Sequence, residues 1–413
     1  MALWPLLWNL ARSPAAALPL LPDCSAPETD IEMARLQSHR WDIPVLQLEG
    51  SDYAMGWQQG RALRDSIRGL VQQFYQQFAQ GLAATFYHRL LPGRLYHLWK
   101  AVPAPYRAEL QGVADGAAMP LRDVLLINFF DDVLNLLELG WSSACTSVLL
   151  RGESDRVLLG RNLDYTGPVG DLVRHFQVVL NRVPKRGRPT VSVAVAGQVG
   201  ILTGMNDRGL SLGSMTAQTR ERSWQGLGVS LLYRLLLDRC QTVTEAIASF
   251  QSFTPAQGNN LMLADPEWGA RLEFTSRRCN VTHLENAPLA IANHYVDPAL
   301  AATQTQLYHR TVAAASQERY QRLCQWGERH LTPTNLTAAL TDWQLPPDDS
   351  RQELDFWRSG ASVNGKGTLH SVVLDPSQRH LNIAIGLGES PIRVEDFAPY
   401  APFGQVAVQQ AID

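Results

Sequence analysis

Between residues 142 and 167 the chain reads SSACTSVLLRGESDRVLLGRNLDYTG, and three of its side chains could act together: Cys145, Arg161 and Asp164. CTSVLL and RVLLG have the apolar texture of strands, and the intervening RGESD carries the Gly and Asp of a turn. The simplest local structure is an antiparallel hairpin centred near residues 153 and 154. Opposing residue numbers then sum to about 307, which sets Cys145 against Asn162 to within two residues and brings Arg161 and Asp164 back beside the thiol. A thiol attacks only as thiolate. A nearby guanidinium favours that anion, and a carboxylate can orient a neighbouring amine or proton. The same residues also fit a buried cysteine filler next to an Arg–Asp ion pair at a strand end, and the hairpin alone does not choose between the two.

The rest of the chain must hold that hairpin. With 413 residues, 45 % hydrophobic and 18 % charged, the composition is that of a globular protein able to bury a full core. Its 36 basic and 39 acidic residues are scattered, with no basic stripe for phosphates, so nucleic acid is excluded as a partner. Cys24, Cys145, Cys240, Cys279 and Cys324 form no CxxC pair and no zinc-type cluster with His, which predicts free thiols and no structural metal. The apolar start MALWPLLWNLARSPAAALPLL is divided by Arg12 and by prolines and lacks a basic lead, so a cytoplasmic location is favoured over secretion. No later run approaches the roughly 18 apolar residues of a spanning helix.

From residue 44 to about 140 the pattern is helical. Leu63, Ile67, Leu70, Val71, Phe74 and Phe78 fall on one face of a long helix that Ser51 can cap, and breaks at Gly116 and Pro120 separate later apolar stripes. At Cys145 the texture turns to short strands such as FQVVLNRV, TVSVAVAG, NLMLAD and LHSVVLD, interrupted by two helical insertions, GVSLLYRLLLDRCQTVTEAIASFQ and ASQERYQRLCQWGERH. This predicts an α+β protein: a poorly defined segment 1–43, a helical leader 44–144 packed on the core, and a sheet-rich core 145–413. No tether composition marks the boundary, so the parts should pack as one body.

ACTS followed by GRNLDY resembles the N-terminal-nucleophile hydrolases related to choloylglycine hydrolase, acid ceramidase and N-acylethanolamine-hydrolysing acid amidase, with their penicillin acyltransferase branch. GVADGAAMPLRDVLLINFFDDV, GILTGMNDRGLSLGSM, IANHYVDP, SQER and GTLHSVVLDP extend the resemblance over about residues 50 to 390. It implies a four-layer αββα sandwich with Cys145 as nucleophile, Arg161 and Asp164 beside it, Asn293 on the oxyanion side, and Arg319 as a later active-site arginine, with Arg310 its rival. Thr216 stands where bile salt hydrolases carry an Asn, and it and Asn260 are the candidates for substrate contact. The resemblance also implies self-cleavage between Ala144 and Cys145, because the base is the α-amine that cleavage frees. Its reference pKa of about 7.7–8.0 suits proton transfer near neutrality.

The implied activity is hydrolysis of a linear, non-peptide acyl amide through a thioester, with no metal or organic cofactor, a small-molecule substrate, and cut chains that stay together. Acyl transfer to an amine, or a non-catalytic binding or scaffold protein of the same fold, are the alternatives. Trp57, Phe74 and Phe86 suit either an acyl pocket or core packing. Three rival motifs read as structure. GLSLG around Ser211 matches a nucleophile elbow but is followed by SMTAQTR rather than a helix. GASVNGKGT nearly spells a phosphate loop but has Gly367 where a hydroxyl is needed. His294 could be a base or could simply pack beside Asn293.

Overall fold

A strand stands at the head of the region where helix was expected, and a shorter one precedes it in the segment 1–43. The computed structural model describes residues 31–38, 40–79, 91–136, 144–152, 155–306, 308, 312–328, 333–343, 361–388 and 390–403; the apolar start, Phe86 and Arg310 lie outside them. β1 (Arg35–Ser38) pairs with β2 (Val45–Gly50), whose Leu46–Gln47–Leu48–Glu49 alternation is a short strand signal at the head of a helical region. Ser51 caps α1 (Asp52–Ala62), its Oγ accepting the Ala54 N–H at 3.1 Å. The expected long helix is two, broken at Leu63 (φ −107°, ψ 22°) before α2 (Arg64–Phe78), which buries Ile67, Leu70, Val71 and Phe74. α3 (Leu91–Ala101), α4 (Ala104–Ala117), α5 (Leu121–Asn128) and α6 (Phe130–Leu136) follow. α4 stops at Ala118 with a left-handed φ of 50°, and Pro120 opens α5.

The hairpin around Cys145 forms, but one residue away from the expected register. β3 (Thr146–Arg151) pairs with β4 (Val157–Asp164) so that Thr146, not Cys145, opposes Asn162 and Ser147 opposes Arg161. The turn is the cause. Gly152 N–H donates to the Arg156 carbonyl at 2.7 Å and Asp155 takes a φ of 60°, which makes the loop three residues long rather than two. Because side chains alternate along a strand, a one-residue step exchanges faces. Cys145 therefore shares the face of Arg161, Leu159 and Leu163, not that of Asn162.

Beyond the hairpin come α7 (Gly167–Val173), β5 (Gln177–Pro184), β6 (Thr190–Val195), β7 (Thr203–Asn206), β8 (Ser211–Thr216), α8 (Val229–Arg239), α9 (Val243–Phe250), β9 (Asn259–Ala264), β10 (Gly269–Phe274), β11 (Cys279–His283) and β12 (Leu289–Ile291). α10 (Pro298–Ala301), α11 (Ala313–Glu328), α12 (Pro333–Leu340), β13 (Thr368–Asp375), β14 (His380–Ile385) and β15 (Ala398–Tyr400) complete the described elements. They make a nine-stranded sheet, β1-β2-β5-β6-β7-β8-β9-β10-β11, and a six-stranded sheet, β12-β3-β4-β13-β14-β15. All pairings are antiparallel except β2 with β5.

The two sheets face each other, β3 and β4 lying against β8 and β9. α11 and α12 cover the other face of the small sheet, where Val148, Leu150 and Leu158 pack on Leu336, Ala339 and Leu340. α1 and α8 pack on the outer side of the large sheet, next to β2 and β7. The result is the expected αββα layering. Leu149, Leu159 and Leu163 point into the space between the sheets, where the main apolar core and Cys145 lie. Ser211 sits inside strand β8 with its Oγ donating to the Gly209 carbonyl, so no nucleophile elbow exists there.

Candidate active site

Cys145 stands one residue ahead of β3, 2 % exposed, at the end of the inter-sheet core. Two groups from β4 meet its sulfur. Arg161 Nη2 lies 3.7 Å from Sγ, and the Asp164 carbonyl accepts from Sγ at 3.8 Å and from the Ala144 N–H at 3.0 Å. The Asp164 carboxyl interacts with Thr368, Arg319 and Arg161, and its charge also acts on the thiol. Asp164 thus holds the thiol through its backbone carbonyl, and its carboxyl adds an interaction of charge. Burial pushes its carboxyl up to about 7, against the pull of Thr368, Arg319 and Arg161.

Burial also pushes the Cys145 thiol up to about 11, and Arg161 acts against that rise. Arg161 is fully buried between the sheets, its Nε and Nη2 donating to the Ser214 carbonyl of β8 at 3.2 and 2.6 Å. Its Nη1 donates to the Thr203 hydroxyl and lies 3.4 Å from His370 Nε2. Gly213 leaves room for the stem: a Cβ there would stand 3.0 Å from Arg161 Cδ.

On the helix side, Asn293 follows β12, which pairs with β3. Its Oδ1 accepts from Arg319 Nη2 at 2.7 Å and its Nδ2 donates to the Thr216 carbonyl at 2.9 Å. Arg319 of α11 is buried, which lowers its pKa, while Asp164 and Cys145 pull the other way. Asn260 spends its amide hydrogens on the carbonyls of Ala292 and His294, at 2.9 and 2.8 Å, clamping the backbone on both sides of Asn293. His294 meets Ser316 Oγ at 2.7 Å through Nδ1, and burial, Arg319 and Arg271 hold its pKa down to about 4. Arg161 and the Asp164 carbonyl therefore meet Cys145 directly, Arg319 interacts with Cys145 and Asp164 through charge, and Asn293 is joined to Arg319. Thr216 contributes its carbonyl, and Asn260 acts through the backbone of the 292–294 segment.

Two features escaped the sequence reading. Asp131 of α6 accepts from the Tyr165 hydroxyl at 2.6 and 2.7 Å, placing a carboxylate of the helical region beside the residue that follows Asp164. His370, with Thr203 and Gln177, backs Arg161. A histidine at an inward position of the apolar LHSVVLD strand was the only available signal. An apolar cavity borders this region, lined by Phe74 of α2, Phe130 and Asp131 of α6, and Leu163, Tyr165 and His370 among others, with about 790 Å³ of empty space partly continuous with solvent. Phe74 thus belongs to a cavity wall as well as to the core. Among the described residues no group of three or more His, Cys, Asp or Glu is placed to hold a metal ion, and no helix is long and apolar enough to cross a membrane.

Two mostly antiparallel sheets between helix layers make an α+β architecture in which Cys145 stands at the head of an inner strand. Residues 150–389, more than half of the chain, match the model of the acyl-coenzyme A:6-aminopenicillanic acid acyl-transferase family, and the chain belongs to that family. The match opens five residues after Cys145. An uncharacterised protein of Archaeoglobus fulgidus is 24% identical over 315 residues, 63% of this chain and 51% of that protein. The N-acylethanolamine-hydrolyzing acid amidase of Oryctolagus cuniculus is 28% identical over 31% of this chain and 32% of its own length, and the acid ceramidase of Rattus norvegicus 28% identical over 37% and 38%. The chain therefore spans about half, or about a third, of the curated relatives it matches. Among solved structures, a Caenorhabditis elegans N-acylethanolamine-hydrolyzing acid amidase ortholog aligns with a TM-score of 0.39 at 18% identity, over 62% of this chain and 99% of that one.

Proposed function

We propose that the protein is a self-processing amide hydrolase in which Cys145 becomes an N-terminal nucleophile. The observation that carries the reading is the setting of the thiol, between the Arg161 guanidinium and the Asp164 carbonyl, with the Asn293–Arg319 pair close by. In the uncut chain a thiol held near 11 is almost wholly protonated at neutral pH. Asp164, whose buried carboxyl near 7 interacts with the thiol through charge, is the group to which we assign that proton. Cys145 Sγ then attacks the Ala144 carbonyl carbon, the C–N bond breaks as the nitrogen takes a proton, and the resulting thioester is hydrolysed. Residues 44–144 become the leader chain and 145–413 the nucleophile chain, with 1–43 ahead of them.

Once free, the Cys145 α-amine replaces the carboxyl as base, its reference pKa of about 7.7–8.0 lying well below the thiol's. The thiolate attacks a linear acyl amide, Nδ2 of Asn293 is the donor for the oxyanion, the amine leaves with a proton, and water resolves the acyl-enzyme. The apolar cavity beside Leu163 and Tyr165 suits the acyl group, with Phe74 and Phe130 of the leader forming part of its wall. Acyl transfer is the second reading. The matched family model is that of an acyl-transferase, and a thioester can be opened by an amine in place of water.

Intact-mass spectrometry with N-terminal sequencing, on the protein and on a Cys145→Ala variant, tests the first step. Two fragments are expected, the second beginning at Cys145 and absent from the variant. A single uncut chain at neutral and mildly acidic pH would leave the thiol without its amine and return the weight to a binding or scaffold role.

A further inference from the structure

We propose that His370 is a positioning residue that fixes the Arg161 guanidinium at the Cys145 thiol through one imidazole tautomer. The inference rests on the reading of Cys145 and Arg161 given above.

The tautomer follows from a chain of partners. Gln177 Nε2 donates to the Arg174 carbonyl at 3.3 Å, which turns Gln177 Oε1 toward His370 Nδ1, 3.1 Å away. An amide oxygen only accepts, so Nδ1 carries the proton and Nε2 presents its lone pair. That lone pair faces the Thr203 hydroxyl at 3.2 Å and Arg161 Nη1 at 3.4 Å. The Thr203 oxygen in turn accepts from the same Nη1, so its own proton points to Nε2. Nη1 is thus held from the large sheet by Thr203 and from the small sheet by His370.

Arg161 needs such a hold. Ser214 anchors Nε and Nη2, Nη2 also reaches Cys145 Sγ, and Nη1 is the nitrogen whose place depends on Thr203 and His370. Without an acceptor at Nε2 the Thr203 proton loses its partner and Nη1 keeps only a mobile hydroxyl. Charged groups around the imidazole are few: Arg161 of β4 meets it directly, and Asp131 of α6 lines the same cavity. Burial and the neighbouring Arg161 hold the His370 pKa well below the usual histidine range, so the ring stays a neutral acceptor.

The test is peptide-resolved alkylation of Cys145 by iodoacetamide across pH in the full chain, where peptide mass separates cut from uncut molecules. Arg161→Gln is the reference variant and lowers the rate at fixed pH. His370→Phe and His370→Asn are expected to lower it about tenfold, the equivalent of one pKa unit. An Asn amide takes the place of Nδ1 and leaves Nε2 empty, whereas the Gln of His370→Gln reaches the Nε2 position and recovers most of the wild-type rate. Wild-type alkylation in His370→Asn, or an equal loss in His370→Gln, overturns the inference, since a purely structural role would not separate the two amides. If Arg161→Gln also leaves the rate unchanged, it is the pairing of Arg161 with Cys145 that fails. Should His370→Phe not fold, the Asn and Gln variants decide.

Discussion

Asn260 makes no contact with the thiol, yet it determines where Asn293 can be. Its two amide hydrogens satisfy the carbonyls on either side of that residue, and both are buried. Asn260→Ala orphans two buried acceptors, at a cost of about 1–3 kcal/mol, and frees the Ala292–His294 backbone. The expected outcome is a lowered melting temperature together with a self-cleavage rate that falls more than tenfold when measured well below that temperature. Normal cleavage in a destabilised variant would reduce Asn260 to a stability role. At this scale the sequence was legible where chemistry is local: Cys145 and Arg161 sit 16 residues apart on one hairpin. It was not legible where the fold joins distant strands. His370 meets Arg161 across 209 residues, and no spacing rule reaches that far.

Two leader helices show how elements are tied down. α1 and α4 cross at glycines, and a Cβ on Gly56 would stand 2.0 Å from the Glu109 carbonyl oxygen. Gly56→Ala must push the helices apart, costing about 3 kcal/mol, whereas Gly93→Ala in α3 meets nothing within 4 Å and should gain about 0.5–1 kcal/mol of helix stability. Denaturant melts of the two variants separate the cases. α6 offers Asp132, whose Oδ1 accepts from the Val229 N–H and from Gln257 Nε2, both at 3.2 Å, and so caps α8 from another element where Gly228 has no side chain to do it. Burial pushes this carboxyl up to about 8. The folded chain then keeps a proton that the unfolded chain releases, so the stability this group contributes is greatest below about 4 and falls as pH rises toward 8. Asp132→Asn retains the acceptor and is expected to raise the melting temperature at pH 8 and flatten the pH profile, with Asp164 and the other upward-shifted carboxyls, Asp52, Asp131 and Asp238, contributing to the slope that remains. A profile unchanged by the substitution would mean that Asp132 is not the group that titrates. The helices themselves were readable from apolar periodicity. The break at Leu63 was not, and the strand at Val45–Gly50 offered only a four-residue alternation, because local propensity says little about which sheet a short segment will join.

The whole molecule depends on the leader in a way that cleavage at Ala144 would not undo. β2 lies between β1 and β5, and its parallel ladder runs on into bonds from Val179 N–H to the Pro44 carbonyl and from Lys185 N–H to the Gly50 carbonyl, at 3.0 and 2.7 Å. Removing it would bare β5 as a long, apolar edge strand. Below the sheet, Glu109 of α4 pairs with Arg182 Nε at 3.1 Å and Arg234 Nη2 at 3.3 Å, with all three side chains almost wholly buried. Asn128 adds its Nδ2 to the Gly197 carbonyl and its Oδ1 to the Val199 N–H, at 2.9 and 2.7 Å. Such a joint is closer to a domain core than to a docking surface, so the cut chains should co-elute in native gel filtration and part only in denaturant. Glu109→Ala strands Arg182 in the interior, and breaking a buried pair in this way costs about 3–5 kcal/mol. The expected result is a lower denaturant midpoint for release of the leader, with the uncut Cys145→Ala background showing the same shift in global unfolding. A leader fragment lost from the cleaved protein under native conditions would show instead that the sheet and the buried ion pairs do not hold the two chains together. The cavity wall formed by Phe74 and Phe130 would then be absent from the working enzyme.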